Sequence, residues 1–257
     1  MTPASVVAAC NDWVWVPDTA TTVETPDYLL VRFPDWFVHP LELLRFEPSG
    51  PVEPAVDDVL ARARELGTDA LNWWVKLGAP AGLDDLVRAR GGVPDETLDV
   101  LALDLAGRRP DAARDGLTLR WEADLATARD SHAVATDVFG GDVPPEDQLL
   151  ALADRGRVDV AEGRGGTLVA YLDDRPVGTG GLSLVDGVAR LWGGAVLEEF
   201  RGRGVYGALL AARLAYGSEQ GARMALVKGR VETSGPILRR AGFAAYGQER
   251  SYRVPLR

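Results

Sequence analysis

Two arginines and two glycines alternate at Arg201-Gly202-Arg203-Gly204, just ahead of an Ala/Leu-rich stretch, in the run EEFRGRGVYGALLAARL (residues 198–214). The first turn of a helix carries N–H groups without intrahelical acceptors and a partial positive charge. Glycines ahead of such a turn have no Cβ to hold a ligand away. Phosphate suits that place, and Arg201 and Arg203 add charge-assisted hydrogen bonds. The competing reading is an arginine-rich turn on an ordinary helix. The loop is not a P-loop, because Lys and Ser/Thr do not follow the second glycine. It is not a dinucleotide fingerprint either: the spacing differs, and the strand before it belongs to an antiparallel meander.

Composition narrows the partners. The 257 residues carry a formal net charge of -10, a length for one large domain or two ordinary ones. Apolar content of 46% with 26% charged residues marks a globular chain. The negative balance leaves no basic surplus to displace counterions from nucleic acid. It favours cationic or neutral small molecules. Cys10 is the one cysteine, so neither a disulfide framework nor a cysteine-based zinc site follows. The opening MTPASVVAACNDWVWVPD lacks a basic n-region and meets Asp12 early, unlike a signal peptide. No apolar run is long enough to cross a bilayer. The expectation is a cytoplasmic protein with no nucleic-acid or membrane partner and no metal.

The elements that must hold the loop can be read from periodicity and turn residues. Residues 28–33 and 36–46 read as strands, 54–66 as a helix, 69–77 as a strand, 83–90 as a short helix and 97–105 as a strand. Residues 107–116, GRRPDAARDG, read as a linker. Beyond it come a strand at 117–123 and helices at 124–140 and 144–155. A meander of strands follows at 166–174, 177–187 and 188–199, its first turn at Asp174-Arg175-Pro176. After the glycine-arginine loop and its helix come a strand at 223–231, a helix at 234–241 and a closing strand at 244–254. Residues 61–92 echo residues 212–243: both read helix, Gly, strand, helix with paired arginines, Gly. The echo suggests a duplicated unit, against the plainer reading that helix–strand–helix units look alike.

The segment VLEEFRGRGVYGALL (residues 196–210) resembles the acetyl-CoA-binding signature of the GNAT acyltransferase superfamily, Q/R-x-x-G-x-G/A at a helix start. Arg201 takes its first position and Gly204 its fourth; Tyr206 stands where the family prefers Gly or Ala, with Gly207 one residue late. SGPILRRAGF (residues 234–243) resembles the family's second motif through Ser234, Ile237, Gly242 and Phe243, with Val231 at its Asn and Leu238 at its Tyr. The resemblance covers the chain after the linker. It implies an α/β (α+β) GNAT fold: a mixed, mostly antiparallel sheet flanked by helices, in a domain over 116–257. The duplication then makes residues 1–110 a degenerate GNAT-like half, as in tandem members of the superfamily. Its counterpart of the phosphate loop, EPSGPVEPAVDD (residues 47–58), holds prolines and acids and no arginine. Missing N–H donors and repelling carboxylates predict that this half binds no acetyl-CoA. Its expected task is to cover a sheet edge and help wall the acceptor pocket.

The resemblance implies acyl transfer from acetyl-CoA, the co-substrate, to an amine acceptor, a small molecule or a protein N-terminus. Pantetheine would pair with Gly194, Ala195 and Val196. The pyrophosphate would lie on Gly202, Arg203, Gly204, Val205, Tyr206 and Gly207, with Arg201 beside it. The Val196 N–H would polarise the thioester carbonyl. The family's tyrosine acid is replaced by Leu238, so acid and base stay unassigned. A non-catalytic acyl-CoA-binding or sensing module is the alternative. Glu198 and Glu199 are candidate bases or solvated partners of the arginines. Glu232 reads as a helix N-terminal carboxylate or a group at the parting of two strands, and Tyr206 as packing against its helix rather than catalytic. Tyr246 and Tyr252 read as packing, with proton donation the alternative, and His132 as structural or exposed. His39 has no metal-site company, and one of Trp73 and Trp74 should face a core.

Overall fold

Capping chemistry starts the chain. Thr2 and Ser5 cap each other's backbone groups, and Pro3 opens α1 (Pro3–Asn11), a helix that the strand-centred reading misses although its capping box is local. The computed structural model describes residues 1–106 and 116–257; the expected linker at 107–116 lies, except for Gly116, outside the described residues. Strands β1 (Thr21–Glu24), β2 (Tyr28–Arg32) and β3 (Leu41–Phe46) come next. The expected strand at 36–46 begins only at Leu41, because Pro40 has no N–H to give a ladder. Helix α2 (Val52–Glu65), β4 (Ala70–Val75), α3 (Leu83–Ala89) and β5 (Val93–Asp104) complete the first half.

The second half repeats the grammar. It holds β6 (Thr118–Trp121), α4 (Leu125–Phe139) and α5 (Glu146–Ala161). The meander is β7 (Gly165–Leu172), β8 (Arg175–Val185) and β9 (Val188–Val196). Its first turn is Asp173-Asp174, at φ 51° and 61°, one residue earlier than expected. Two left-handed residues suit the twist of a tight hairpin, and Pro176 cannot adopt positive φ. A turn of 3-10 helix (Glu198–Phe200) leads to α6 (Val205–Glu219), then β10 (Met224–Arg230), α7 (Ser234–Arg240) and β11 (Ala244–Pro255).

The repeat is visible in backbone detail. Helices α3 and α7 both end on a left-handed glycine, Gly91 at φ 90° and Gly242 at φ 94°. Past each, an N–H reaches back into the last turn: Gly92 to Val87 O at 3.0 Å and Phe243 to Leu238 O at 3.1 Å, the Schellman closure. In each half a helix connects two parallel strands: α2 joins β3 to β4, and α6 joins β9 to β10.

By packing, residues 1–101 with 229–257 form one compact unit and residues 102–228 another. The sequence division into 1–110 and 116–257 follows the repeated pattern; the packing division follows the strands. The first unit has strand order β1-β2-β3-β4-β11-β5, so the C-terminal strand is inserted beside β4, antiparallel, with Tyr252 opposite Trp73. Its core joins Leu30, Leu43, Leu71, Trp73, Tyr252 and Val254 to Val56, Val59 and Leu60 of α2. Trp73 faces that core and is 1% exposed. The second unit has order β10-β9-β8-β7-β6, with Leu168, Ala170, Val177 and Val196 packed on Val205 and Leu209 of α6.

Asp84 anchors the inserted strand to α3. Its carboxylate accepts from Arg250 Nε at 2.8 Å and Nη2 at 2.6 Å, and from the Tyr252 hydroxyl at 2.6 Å. Arg250, then Tyr252, hold its pKa below the usual carboxylate range. A depressed carboxylate stabilises the fold above its unfolded pKa and loses that effect as pH falls through the folded value. Solvent reaches part of the pair, which limits its worth. Asp84→Ala should therefore cost about 1–2 kcal/mol at pH 7, with the gap to wild type closing below about pH 4. Thermal melts of both proteins across pH test this; a gap that is independent of pH would contradict it.

Candidate active site

Strand β9 carries two neighbours for only half its length. It pairs in parallel with β10 from Val188–Met224 to Leu191–Val227, while its antiparallel register with β8 continues to Val196 opposite Gly178. The β8 register slips between Gly181–Trp192 and Thr179–Ala195, and Gly193 sits there at φ 59°. The extra residue is a β-bulge. Past it, the Leu197 N–H bonds Val177 O at 3.0 Å. Antiparallel strands alternate hydrogen-bonded and open pairs, so the Val196 N–H points away from β8, to the side where β9 has left β10.

The faces are set by the same alternation. Gly178 looks onto Val205 and Leu209 of α6, and Gly194 onto Tyr206. The indole of Trp192 lies where a Cβ on Gly181 would go, on the opposite face, and stays 43% exposed. Ala195 pairs with Thr179 on that same face. Between α6 and β9, Gly202 and Gly204 take φ of 75° and 84°. Gly204 is the N-cap of α6 and offers no side-chain cap. The first N–H groups of α6 therefore depend on solvent or ligand. A Cβ on Gly207 would meet nothing within 4 Å, so the first turn is open there.

The arginines lie along this edge. Arg201 Nε donates to Val196 O at 3.3 Å. Arg203 and Arg175 stack on the Phe200 ring at 5.2 and 4.9 Å from its centroid, and Arg175 also pairs with Glu199. Glu199 is thus neutralised from β8 rather than by the loop arginines. Tyr206 does not fill the cradle. Its ring turns back onto Gly194, within 3.0 Å of where a Cβ would be. Burial pushes its pKa up, opposed by Arg213.

Residues 132–243 match the acetyltransferase (GNAT) family. This chain carries a GNAT acetyltransferase domain. The whole chain has the fold of solved GNAT proteins. A GCN5-related N-acetyltransferase from Kribbella flavida is 19% identical, with TM-score 0.69 over 98% of this chain and 94% of that one. One from Sphaerobacter thermophilus is 18% identical, with TM-score 0.68 over 100% and 94%. A tandem GNAT protein from the clavulanic acid biosynthesis pathway is 17% identical, with TM-score 0.62 over 98% and 88%. No curated protein matches.

Within the GNAT frame, the other expected residues fall in the first packing unit, apart from His132 and Glu198 in the second. Leu238 is fully buried, and Ser234 Oγ accepts from the Arg230 N–H at 2.8 Å. Tyr252 is tied to Asp84, Tyr246 is half-buried and Glu232 exposed. His39 lines a cavity of about 320 Å³ with Asn72, Asp95 and Arg253, and burial lowers its pKa. In the second unit, burial likewise lowers the pKa of His132. Among the described residues no His, Cys, Asp or Glu group is placed to hold a metal ion.

Sequence reasoning missed three residues: Trp192, Arg213 and Glu122. Glu122 is 6% exposed and accepts from the Ser131 hydroxyl of α4. Its N–H bonds Thr167 O at 2.8 Å, and Thr167 pairs with Gly181, which pairs with Trp192. Glu122 is therefore in one cross-strand row with Trp192, three strands away, roughly 14 Å. Burial pushes its pKa up to about 7, with Ser131 opposing. An acid directly after a strand gives no sequence signal of burial.

The folded chain keeps a proton on Glu122 that the unfolded chain releases near pH 4.3. Stability contributed by this group therefore falls as pH rises from there to about 7. Glu122→Gln removes the penalty. The variant should match wild type near pH 4 and exceed it by about 3 kcal/mol at pH 8. Thermal melts at both pH values decide; parallel curves would refute the buried carboxyl.

Proposed function

We propose that this protein transfers the acetyl group of acetyl-CoA to an amine by direct attack in a ternary complex. The observation that carries the reading is the parting of β9 from β10 at Leu191, just before the glycine bulge and the glycine-capped start of α6. It leaves two sets of N–H groups open, one suited to an extended amide chain and one to phosphate. Pantetheine pairs with Gly194, Ala195 and Val196. The pyrophosphate takes the N–H groups of residues 202–207, with Arg201 and Arg203 supplying charge. The Val196 N–H holds the thioester oxygen as the amine nitrogen bonds to the carbonyl carbon and the C–S bond breaks. The amine loses a proton and the thiolate gains one. A thiol of pKa near 8.5 leaves with modest help, so the absence of the family tyrosine at Leu238 does not bar the reaction. The net charge of -10 favours a cationic or neutral acceptor. No described helix is long and apolar enough to cross a membrane, which accords with work in the cytoplasm.

Residues 1–110 and 116–257 form two GNAT-like halves in this reading, of which the first is degenerate. The corresponding helix of the first half, α2, starts at Pro51 without a side-chain cap and has Glu53 in its first turn. Arg90 binds Glu53 and Asp57 there, so the local cation is already occupied by acids. Calorimetry should find one acetyl-CoA per chain; two would overturn the degeneracy.

A second reading, a non-catalytic acyl-CoA sensor, is favoured by the apolar Leu238. Release of CoA with a panel of amines separates the two readings. Both require acetyl-CoA to raise the thermal midpoint. At ~100 times its dissociation constant it should add roughly 2.7 kcal/mol. Gly207→Glu enters open space beside the helix start without positive φ. It should leave the free protein as stable as wild type and erase the acetyl-CoA shift. An undiminished shift would remove the phosphate from that turn.

A further inference from the structure

Helix α6 sends one charged side chain inward. Arg213 is 2% exposed. Its Nε donates to Leu209 O, one turn back, at 3.1 Å. Its Nη1 donates to Gly181 O at 3.1 Å and to Trp192 O at 3.3 Å. Tyr206 is its titratable neighbour, and among the described residues no carboxylate pairs with it. Burial lowers its pKa, yet a guanidinium stays charged in proteins.

Such a side chain is hard to explain as packing. Taking a charge out of water without an opposite charge is costly, and an apolar residue of similar size fills a core at less cost. The surroundings are nevertheless cleared for it. A Cβ on Gly180 would fall 2.9 Å from the guanidinium carbon, and one on Gly194 would be 3.6 Å from Nη2 and 3.0 Å from the Tyr206 ring. Glycines on neighbouring strands thus leave the room that the guanidinium and the phenol occupy. The cation ends up against the backbone of the β9 bulge, bonded to the carbonyl of the residue just before it.

We propose that Arg213 is a positioning and electrostatic residue of acetyl transfer, a claim that rests on the acetyl-CoA reading of the same site. Its two carbonyl bonds hold Gly181 and Trp192 as the last pair before the register slips, which aims the N–H groups after the bulge at the thioester oxygen. Its unpaired charge, fixed in a dry interior, favours negative charge developing on that oxygen. A preorganised cation there needs no reorganisation during reaction. The guanidinium beside Tyr206 keeps the phenol ring on Gly194, beneath the path assigned to pantetheine.

The test uses the full chain with acetyl-CoA labelled with carbon-13 at the thioester carbonyl, read by infrared spectroscopy. In wild type the carbonyl stretch should move to lower frequency on binding. Arg213→Gln should lose most of that displacement while binding acetyl-CoA within about threefold of wild type. Arg213→Lys, which keeps charge but not the planar fork, should retain part of it. Acetyl transfer or slow acetyl-CoA hydrolysis should fall about 10²-fold in the Gln variant. If Arg213→Gln does not fold, the Lys variant carries the same comparison. A wild-type carbonyl that does not move on binding overturns the proposal. So does an unchanged displacement in a folded variant, or a loss confined to acetyl-CoA affinity. A wild type that binds no acetyl-CoA defeats the cofactor reading itself, which is a separate result.

Discussion

Unpaired backbone N–H groups on β9 and at the start of α6 are what the second unit is built to provide. A sheet normally uses every ladder N–H, and a helix normally caps its first turn. Here β9 loses its parallel neighbour beyond Leu191, and α6 is capped by Gly204 without a side chain. Both departures need glycine: Gly193, Gly202 and Gly204 all sit at positive φ. The open groups are adjacent because a short connection, through a turn of 3-10 helix (Glu198–Phe200), joins the end of β9 to α6.

Everything around this edge either preserves it or exploits it. Val205 and Leu209 press against Gly178, so α6 approaches the sheet closely with no sheet side chain at that position. Phe200 is buried beneath the loop and carries two guanidinium groups on its ring. Arg213 reaches through to the bulge from behind. On the other face Trp192 lies across Gly181, giving the open edge an aromatic flank.

The two halves show how one supersecondary pattern serves different ends. Strand, helix, parallel strand recurs with the same glycine-ended helices. In the first half the helix start is crowded with Pro51, Glu53 and Pro54, and its nearby cation is engaged by carboxylates. The first unit instead closes around its sheet, where β11 is inserted beside β4 and locked by Asp84. The same helix–strand unit thus leaves its helix start open where glycines and arginines flank it, and crowds it where prolines and acids do.

Local chemistry determined much of this from the sequence. Glycine and aspartate placed the Asp173-Asp174 turn and the Gly140 end of α4 to within a residue, since φ preferences act on neighbours. Strand β5, by contrast, starts at Val93, four residues ahead of its expected start. The glycine-arginine loop announced an uncapped helix start, which is what the structure has at Gly204, because a helix start needs only local order. The period of α6 put position 213 in line with Leu209 and Gly217 on the buried face, but a charged type there reads as surface. What the tertiary structure alone decided is non-local. That β9 parts from β10, that β11 joins the first unit, that Glu122 is buried under α4 and that Arg213 meets carbonyls from β8 and β9 all depend on strands distant in sequence. Pairing and desolvation are set by which segments meet, and no single stretch of chain encodes that.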